Sequence, residues 1–269
     1  MTEGMKLDCY VINLDRSPDR WKEILRVFEG VEVNLIRVSA VDVSLLEHHP
    51  GPPEFYERRF RRLIGRDAVP GEIGCYFSHL AALRRFLETD AEFALICEDD
   101  IIPDKNLAEV LREACRYAHT WELLRVMKAR QTSLVPYATL GTGHRLCTAI
   151  TDFIYAAGYA VNRRGAELLL KKLASMTIPY DMALMSGWRN IREASLSPGA
   201  IVLAEHAKIS TMTFPERKLR KLTPTHFFWW TSAAYRLRAR IRRYGLQLFR
   251  VMKFRCFPPR PKKNKENDG

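Results

Sequence analysis

Three consecutive acids, Glu98-Asp99-Asp100, close the apolar run Phe93–Cys97 (FALIC). That run has the length and composition of a buried strand in a parallel sheet. Ligands of open α/β sheets bind at the carboxyl edge of such strands. Three carboxylates within one turn of chain repel one another unless a cation lies among them. Their oxygens suit Mg2+ or Mn2+, which take one or two protein carboxylates and fill the rest of their shell with water or phosphate oxygens. An ion held there could neutralise a diphosphate leaving group. On the residues alone, the alternative is a solvated acidic loop.

The segments around the acids must place them. Cys9–Leu14 reads as a short strand that stops at Asp15-Arg16-Ser17-Pro18. Ser17 there reads as an N-cap, with Pro18 at the first helical position. Trp21, Ile24, Leu25 and Phe28 follow at helical spacing, and Val31–Val38 reads as a second strand. A strand–helix–strand opening predicts α/β architecture with parallel strands. Glu47–Pro70, rich in proline, arginine and histidine, reads as a surface excursion. Gly71–Leu87 predicts a helix that buries Ile73, Tyr76, Phe77, Leu80, Leu83 and Leu87. Asp104–Tyr117 and Gly165–Leu173 read as further helices. Leu123–Met127, Leu146–Ile150, Ile154–Val161 and Ala200–Ala204 read as strands.

With 269 residues, 47% hydrophobic and 28% charged, the composition excludes a wholly disordered, collagenous or coiled-coil chain. The longest uncharged runs, Gln131–His144 and Leu222–Tyr235, hold 14 residues and neither is apolar throughout. A spanning helix needs about 20 mostly apolar residues, and the first apolar run is too short and too acidic at its flanks for a signal peptide. A cytosolic chain is expected. Its six cysteines form no CxxC pair and read as reduced thiols.

The net charge of +12 is unevenly spread. Residues 217–269 carry 16 Lys/Arg against Glu266 and Asp268, which leaves 27 Lys/Arg and 29 Asp/Glu in residues 1–216. The body is close to neutral. In the basic part, Trp230, Ala234, Leu237, Ile241, Tyr244, Leu248 and Met252 recur at steps of three and four, which is one face of a helix. Arginines lie off that face, and Phe227, Phe228, Trp229 and Trp230 lead into it. Such a helix either meets an anionic membrane surface, through residues 227–256, or packs its stripe on the core. Gly245 is a point at which it could break. Nucleic acid is an unlikely partner, because no aromatic-interleaved platform or zinc motif is present. The expected division is a body over 1–216, the basic helix over 217–256 and a disordered Pro- and Lys-rich tail over 257–269.

Three segments, VINLDRSPDRW, GEIGCYFSHLAALRRFLETDAEFALICEDDI and AGYAVNRRGAELLL, resemble the family 25 glycosyltransferases, the group of lipooligosaccharide and collagen galactosyltransferases. The second is the most specific, and together they span roughly Cys9–Ala204. The resemblance implies a GT-A-like fold: a Rossmann-like, mostly parallel sheet flanked by helices, here followed by a basic amphipathic C-terminal helix. It implies a UDP-sugar donor and a glycan or glycolipid acceptor such as core oligosaccharide at the inner face of the membrane. Glu98-Asp99-Asp100 match the acidic signature, with Asp100 and Glu98 as ligands of Mn2+ or Mg2+ and Glu98 or Asp99 toward the donor's ribose or a metal-bound water.

The same resemblance carries Asn13, Arg16, Arg20, Glu72 and His79 into the donor site. Arginine at the strand–helix junction could pair with phosphate, although on the residues alone it is also an ordinary surface arginine, and His79 also reads as a hydrogen-bonded core histidine. Inverting transfer, again implied by the resemblance alone, needs a base for the acceptor hydroxyl. Asp181 and Asp152, both in apolar stretches where an acid needs a partner, are the candidates, and turn or capping acids are the alternative. His206 is a further candidate ligand. AGYAVNRRGA lacks the hydroxyl-rich pattern of the family before its helix, which implies a different acceptor recognition.

Overall fold

The computed structural model describes residues 7–43, 54–127, 133–150, 156–184, 190–204 and 226–262. The chain opens with β1 (Leu7–Asn13), α1 (Pro18–Val27) and β2 (Asn34–Ser39). Next come α2 (Glu57–Ile64), α3 (Pro70–Leu87), β3 (Phe93–Glu98), β4 (Ile101–Pro103) and α4 (Leu107–Cys115). The second half supplies β5 (Leu123–Arg125), β6 (Leu134–Thr139), β7 (Arg145–Ala149), β8 (Gly158–Asn162) and α5 (Arg163–Lys172). It ends with α6 (Tyr180–Leu184), β9 (Glu193–Ser197), β10 (Ile201–Leu203) and α7 (His226–Cys256).

Eight strands form one sheet in the order β2-β1-β3-β8-β5-β9-β7-β6. Following the pairings across it, β2, β1, β3, β5, β9 and β6 run one way and only β8 and β7 oppose them. This is the mostly parallel, helix-flanked α/β sheet expected from the sequence. Successive strand residues face opposite sides. Cys9, Val11, Leu95 and Cys97 therefore enter a core with Ile24, Leu107 and Leu111. Tyr10, Ile12, Ala94 and Ile96 enter a second core with Phe60, Leu80 and Leu83. Both faces are covered, so β3 reads as a continuous apolar run rather than an alternating one.

Between β5 and β9, Arg125 Nε donates to Glu193 Oε1 at 2.9 Å, and both residues are buried. Beyond β3 the chain turns into β4, which pairs antiparallel with β10 as a separate two-stranded sheet.

The structure corrects several local expectations. The excursion holds α2, whose Phe60 is fully buried. Phe60, Leu63 and Ile64 have helical spacing, but the arginines between them mask it. The strand expected at Ile154–Val161 begins at Gly158 among the described residues. Residues 134–139 carry a strand although Pro136 lies within it. β6 is the last strand of the sheet, where a missing N–H is tolerated, and its register shifts just after Pro136. Leu25 is exposed instead of joining Ile24 in the core. Ser17 occupies the N-cap position of α1 with Pro18 after it, but its side chain makes no capping bond. The six cysteines are free, and α7 runs unbroken through Gly245.

α3 shows why its motif contains Gly74 and Ser78. Ser78 Oγ donates to the Gly74 carbonyl at 2.6 Å and accepts from Val41 N at 2.8 Å. The Val41 carbonyl comes so close that a Cβ on Gly74 would lie 2.5 Å from it. Gly→Ala inside a helix ordinarily stabilises by about 1 kcal/mol. Here the clash reverses the sign, and Gly74→Ala is expected to destabilise by about 1–3 kcal/mol. Gly245→Ala, with nothing within 4 Å of its added Cβ, is the control and should be neutral or stabilising. Thermal melting of the two variants side by side tests the contrast.

Candidate functional site

β1 and β3 are parallel neighbours, with Ile12 opposite Glu98. Their carboxyl ends therefore lie together beside the start of α1. Asn13 and Asp99, 86 residues apart, meet there: Asn13 Nδ2 donates to Asp99 Oδ2 at 2.6 Å. The other Asp99 oxygen accepts from Arg20 Nη1 at 2.8 Å. Asn13 is itself fixed, because its Oδ1 accepts from Arg37 Nε at 3.0 Å and Nη2 at 2.7 Å, while Nδ2 also reaches the Ser17 carbonyl at 3.1 Å. Asn13 and Asp99 are buried. Both Asp99 oxygens are thus held by the chain's own donors.

Asp100 is different. Its Oδ1 is buried and has no hydrogen-bond partner among the described residues. Burial first, then the charges of Glu98 and Asp99, push its carboxyl up to about 7 against the opposing pull of Arg20. The backbone is pinned from across the fold, where Ala204 N donates to the Asp100 carbonyl at 2.8 Å. A buried carboxylate oxygen without a donor among the described residues, set among other acids, is costly to keep charged unless a proton or a cation neutralises it.

Glu98, the first of the three, faces α3. Cys75 and His79 are four residues apart, hence on one face of that helix. Cys75 Sγ lies 3.9 Å and His79 Nε2 3.5 Å from Glu98 Oε1, and the three ligand atoms fall within 4.8 Å of one another. Burial, reinforced by Glu98 and then by Asp181, raises the Cys75 thiol well above its ordinary range, so it sits there as a neutral SH.

His79 is fully buried. Its ring stacks on Tyr180 with centroids 4.1 Å apart and planes at 2°. Nδ1 is 3.2 Å from Tyr159 Oη, and Tyr159 Oη is 2.6 Å from Tyr180 Oη. Burial raises both phenols, so both keep their protons. The chain closes if Tyr180 donates to Tyr159, Tyr159 donates to Nδ1, and Nε2 turns its proton toward Glu98, which is otherwise an orphaned nitrogen.

The remaining sequence candidates separate. Glu72 is buried at the start of α3, accepts from Arg66 at 2.5 and 2.7 Å, and takes Val69 N at 3.2 Å. That is a helix-start bond and an ion pair. Arg16 is exposed and pairs with Asp42 at 3.2 Å. Asp181 lies at the start of α6 and takes Met182 N at 2.8 Å. Its charge acts on Cys75, which puts it near the same corner. Asp152 and His206 lie outside the described residues. Tyr159, Tyr180 and Arg37 were not foreseen. Two tyrosines inside apolar runs, AGYAV and TIPYDMAL, were the available signal, since a buried phenol needs a partner.

Asp100 and Glu98 are the candidate cation ligands of this edge, with Asp99 kept in place by Asn13 and Arg20. The family described as glycosyltransferase family 25 (LPS biosynthesis protein) matches residues 6–184. Procollagen galactosyltransferase 1 of Danio rerio is 26% identical over 189 residues, 63% of this chain and 29% of that protein. A glycosyltransferase 25 family member of Drosophila pseudoobscura pseudoobscura is 30% identical over 191 residues, 64% of this chain and 28% of that protein. The chain spans less than a third of the length of these relatives. The crystal structure of S. aureus TarS 1-349 in complex with UDP-GlcNAc aligns with 93% of this chain and 72% of that one, at 14% identity and a TM-score of 0.45.

Proposed function

We propose, from the premise that this chain belongs to glycosyltransferase family 25, that it transfers a hexose, galactose by choice, from a UDP-sugar to a glycan acceptor. The acceptor we favour is a glycolipid core oligosaccharide of the lipopolysaccharide type, met at the inner face of an anionic membrane. Among the described residues, no helix is long and apolar enough to cross a membrane.

The observation that carries this reading is Asp100: a buried carboxylate oxygen with no hydrogen-bond partner among the described residues, beside Glu98, at the sheet edge where β1 and β3 end. Asp100 and Glu98 would hold Mn2+ or Mg2+. When bound, such an ion supplies charge neutralisation for a diphosphate leaving group. Arg20 and Asn13 act through Asp99, fixing the acid loop so that Asp100 faces inward rather than toward solvent. His79, steered by Tyr159 and Tyr180, orients Glu98. Arg16 and Asp42 flank the junction where the nucleotide phosphates approach the start of α1.

In the transfer itself the acceptor hydroxyl oxygen forms the new bond to the sugar C1 as the bond from C1 to the diphosphate oxygen breaks, and UDP leaves with that electron pair. A carboxylate takes the hydroxyl proton. Asp181 is the group we assign to that task, for its place at the α6 start near Cys75, with Asp152 as the other candidate. Departure on the opposite face from attack makes the reaction inverting.

The test is UDP release across a panel of UDP-sugars, with and without Mn2+, for the wild type and Asp100→Ala. Even without the acceptor, slow transfer to water should consume one donor, require the metal, and vanish in Asp100→Ala. If no donor is turned over and calorimetry detects neither UDP nor Mn2+ binding, the transferase reading is wrong and a binding protein on a transferase fold takes its place.

A further inference from the structure

α7 spans 31 residues, roughly 46 Å of helix at 1.5 Å per residue, and it has two unlike sides. One side is docked. Gln247 is buried, and Arg250 donates to the Ile191 carbonyl at 2.6 Å, the Glu193 carbonyl at 3.5 Å and Gln247 Oε1 at 3.3 Å. Phe254 packs on Tyr137 of β6 with centroids 4.4 Å apart. Past the helix, Lys262 N donates to the Arg116 carbonyl at 2.9 Å. These contacts lie at the β6–β7–β9 side of the sheet, away from the β1–β3 edge that holds the acids, and α7 also packs against α2.

The other side is bare. Leu237, Ile241, Leu248 and Met252 are 59%, 64%, 51% and 68% exposed, and Phe249 and Phe257 more than half exposed. At about 100° per residue, the first four fall within an arc of about 60°, turned well over 90° from the arc of Gln247, Arg250 and Phe254. The apolar stripe visible in the sequence is therefore not the packing face. Of the two alternatives the sequence leaves open, packing of the stripe on the core does not hold for Leu237, Ile241, Leu248 and Met252; Gln247, Arg250 and Phe254 make the contacts with the body.

Cations surround the bare stripe. Arg238, Lys253 and Arg255 are exposed on the helix, as are Arg260 and Lys262 beyond it, and no acid occurs between Glu216 and Glu266. A second copy of this chain would bring the same cations against each other. A nucleic acid would answer the cations but leave Leu, Ile and Met side chains in water. An anionic bilayer satisfies both, with headgroups for the cations and the upper acyl region for the aliphatic ridge.

We infer that α7 is a helix anchored to the body by one face that lies in the plane of an anionic membrane surface by the other, inserting Leu237, Ile241, Leu248, Phe249 and Met252. This rests on the membrane-surface part of the proposed function and not on its sugar chemistry, so vesicle binding and UDP release can fail separately.

The experiment is co-sedimentation of the full chain with vesicles of phosphatidylcholine containing about 30% phosphatidylglycerol. Partitioning should fall at least about 30-fold in the variant Leu237→Ser, Ile241→Ser, Leu248→Ser and Met252→Ser, while its melting temperature and UDP binding stay at wild-type values, since the four side chains are exposed. Leu25→Ser, an exposed leucine on α1, should change nothing. Wild-type binding should weaken in high salt and be at least about 10-fold poorer on pure phosphatidylcholine. Any one of three results overturns the inference: no binding by the wild type, unchanged binding by the fourfold variant, or a wild-type dimer in solution that the fourfold variant abolishes.

Discussion

Asp100→Asn is expected to remove metal-dependent donor turnover by about 10³-fold or more while making the metal-free protein more stable. The two effects have one cause. Burial and the neighbouring charges of Glu98 and Asp99 raise the Asp100 carboxyl to about 7, whereas in the unfolded chain it titrates near 4. Between those values the folded state binds the extra proton, so stability falls as pH rises. Below about pH 4 both states are protonated and the penalty is absent, and above about pH 7 it is fully developed. Its size is on the order of 2–4 kcal/mol.

An amide of the same shape carries no charge to penalise. The melting temperature of Asp100→Asn should therefore match the wild type near pH 4 and exceed it progressively up to pH 8. Mn2+ at pH 8 should raise the wild-type melting temperature and leave that of Asp100→Asn where it was. A variant less stable than the wild type at pH 8 would show that the carboxylate is held by the fold rather than left for a cation.

His79→Ala is the second large effect. The imidazole is fully buried, stacked on Tyr180 and bonded to Tyr159. Truncation leaves a cavity and takes from the bonded Tyr159–Tyr180 pair the acceptor for one buried hydroxyl proton, which together should cost about 3 kcal/mol. Turnover should drop by about 10²-fold in addition, because Glu98 loses the group that faces it. His79→Gln keeps much of the volume and can still present an N–H toward Glu98. It should recover most of the stability, and its remaining defect should be in Mn2+ affinity rather than in the melting temperature. Equal Mn2+ affinity in the wild type and both variants would reduce His79 to a packing residue. Tyr159→Phe offers an intermediate case, since it removes the hydroxyl on which Nδ1 depends and leaves the stack of His79 on Tyr180.

How much of this was legible in the chain follows from the range of the interactions. The acids at the end of β3, the α3 helix and the pairing of Cys75 with His79 on one face are local patterns, and the order of residues displays them. Leu25 was misjudged because helical spacing marks an apolar arc without saying how far the core extends across it. The Asn13–Asp99–Arg20 knot joins segments about eighty residues apart through a parallel strand pairing, which no short window contains. Tyr159 and Tyr180 were equally remote from His79, and only their burial in apolar runs hinted that their hydroxyls had partners. β6 was hidden by Pro136, a residue that rules out central strands and is harmless at an edge. In α7 the spacing correctly found a stripe, but a stripe does not declare what lies against it. The answer came from Gln247, Arg250 and Phe254 on the opposite side.

The place of β9 sets the smallest piece of this chain that can be cut out and still fold. The family match ends at residue 184, but β9 begins at Glu193 and stands inside the sheet, between β5 and β7. A fragment trimmed to the matched segment would lose an interior strand, not a tail. β5 would be left with an open edge, the β6–β7 hairpin would have no attachment to the sheet, and Arg125 would lose its Glu193 partner in a dry interior. It would also lose the backbone donor of Ala204 that pins Asp100. For this chain, similarity and autonomy have different boundaries, and a fragment that keeps the sheet whole has to run past residue 204.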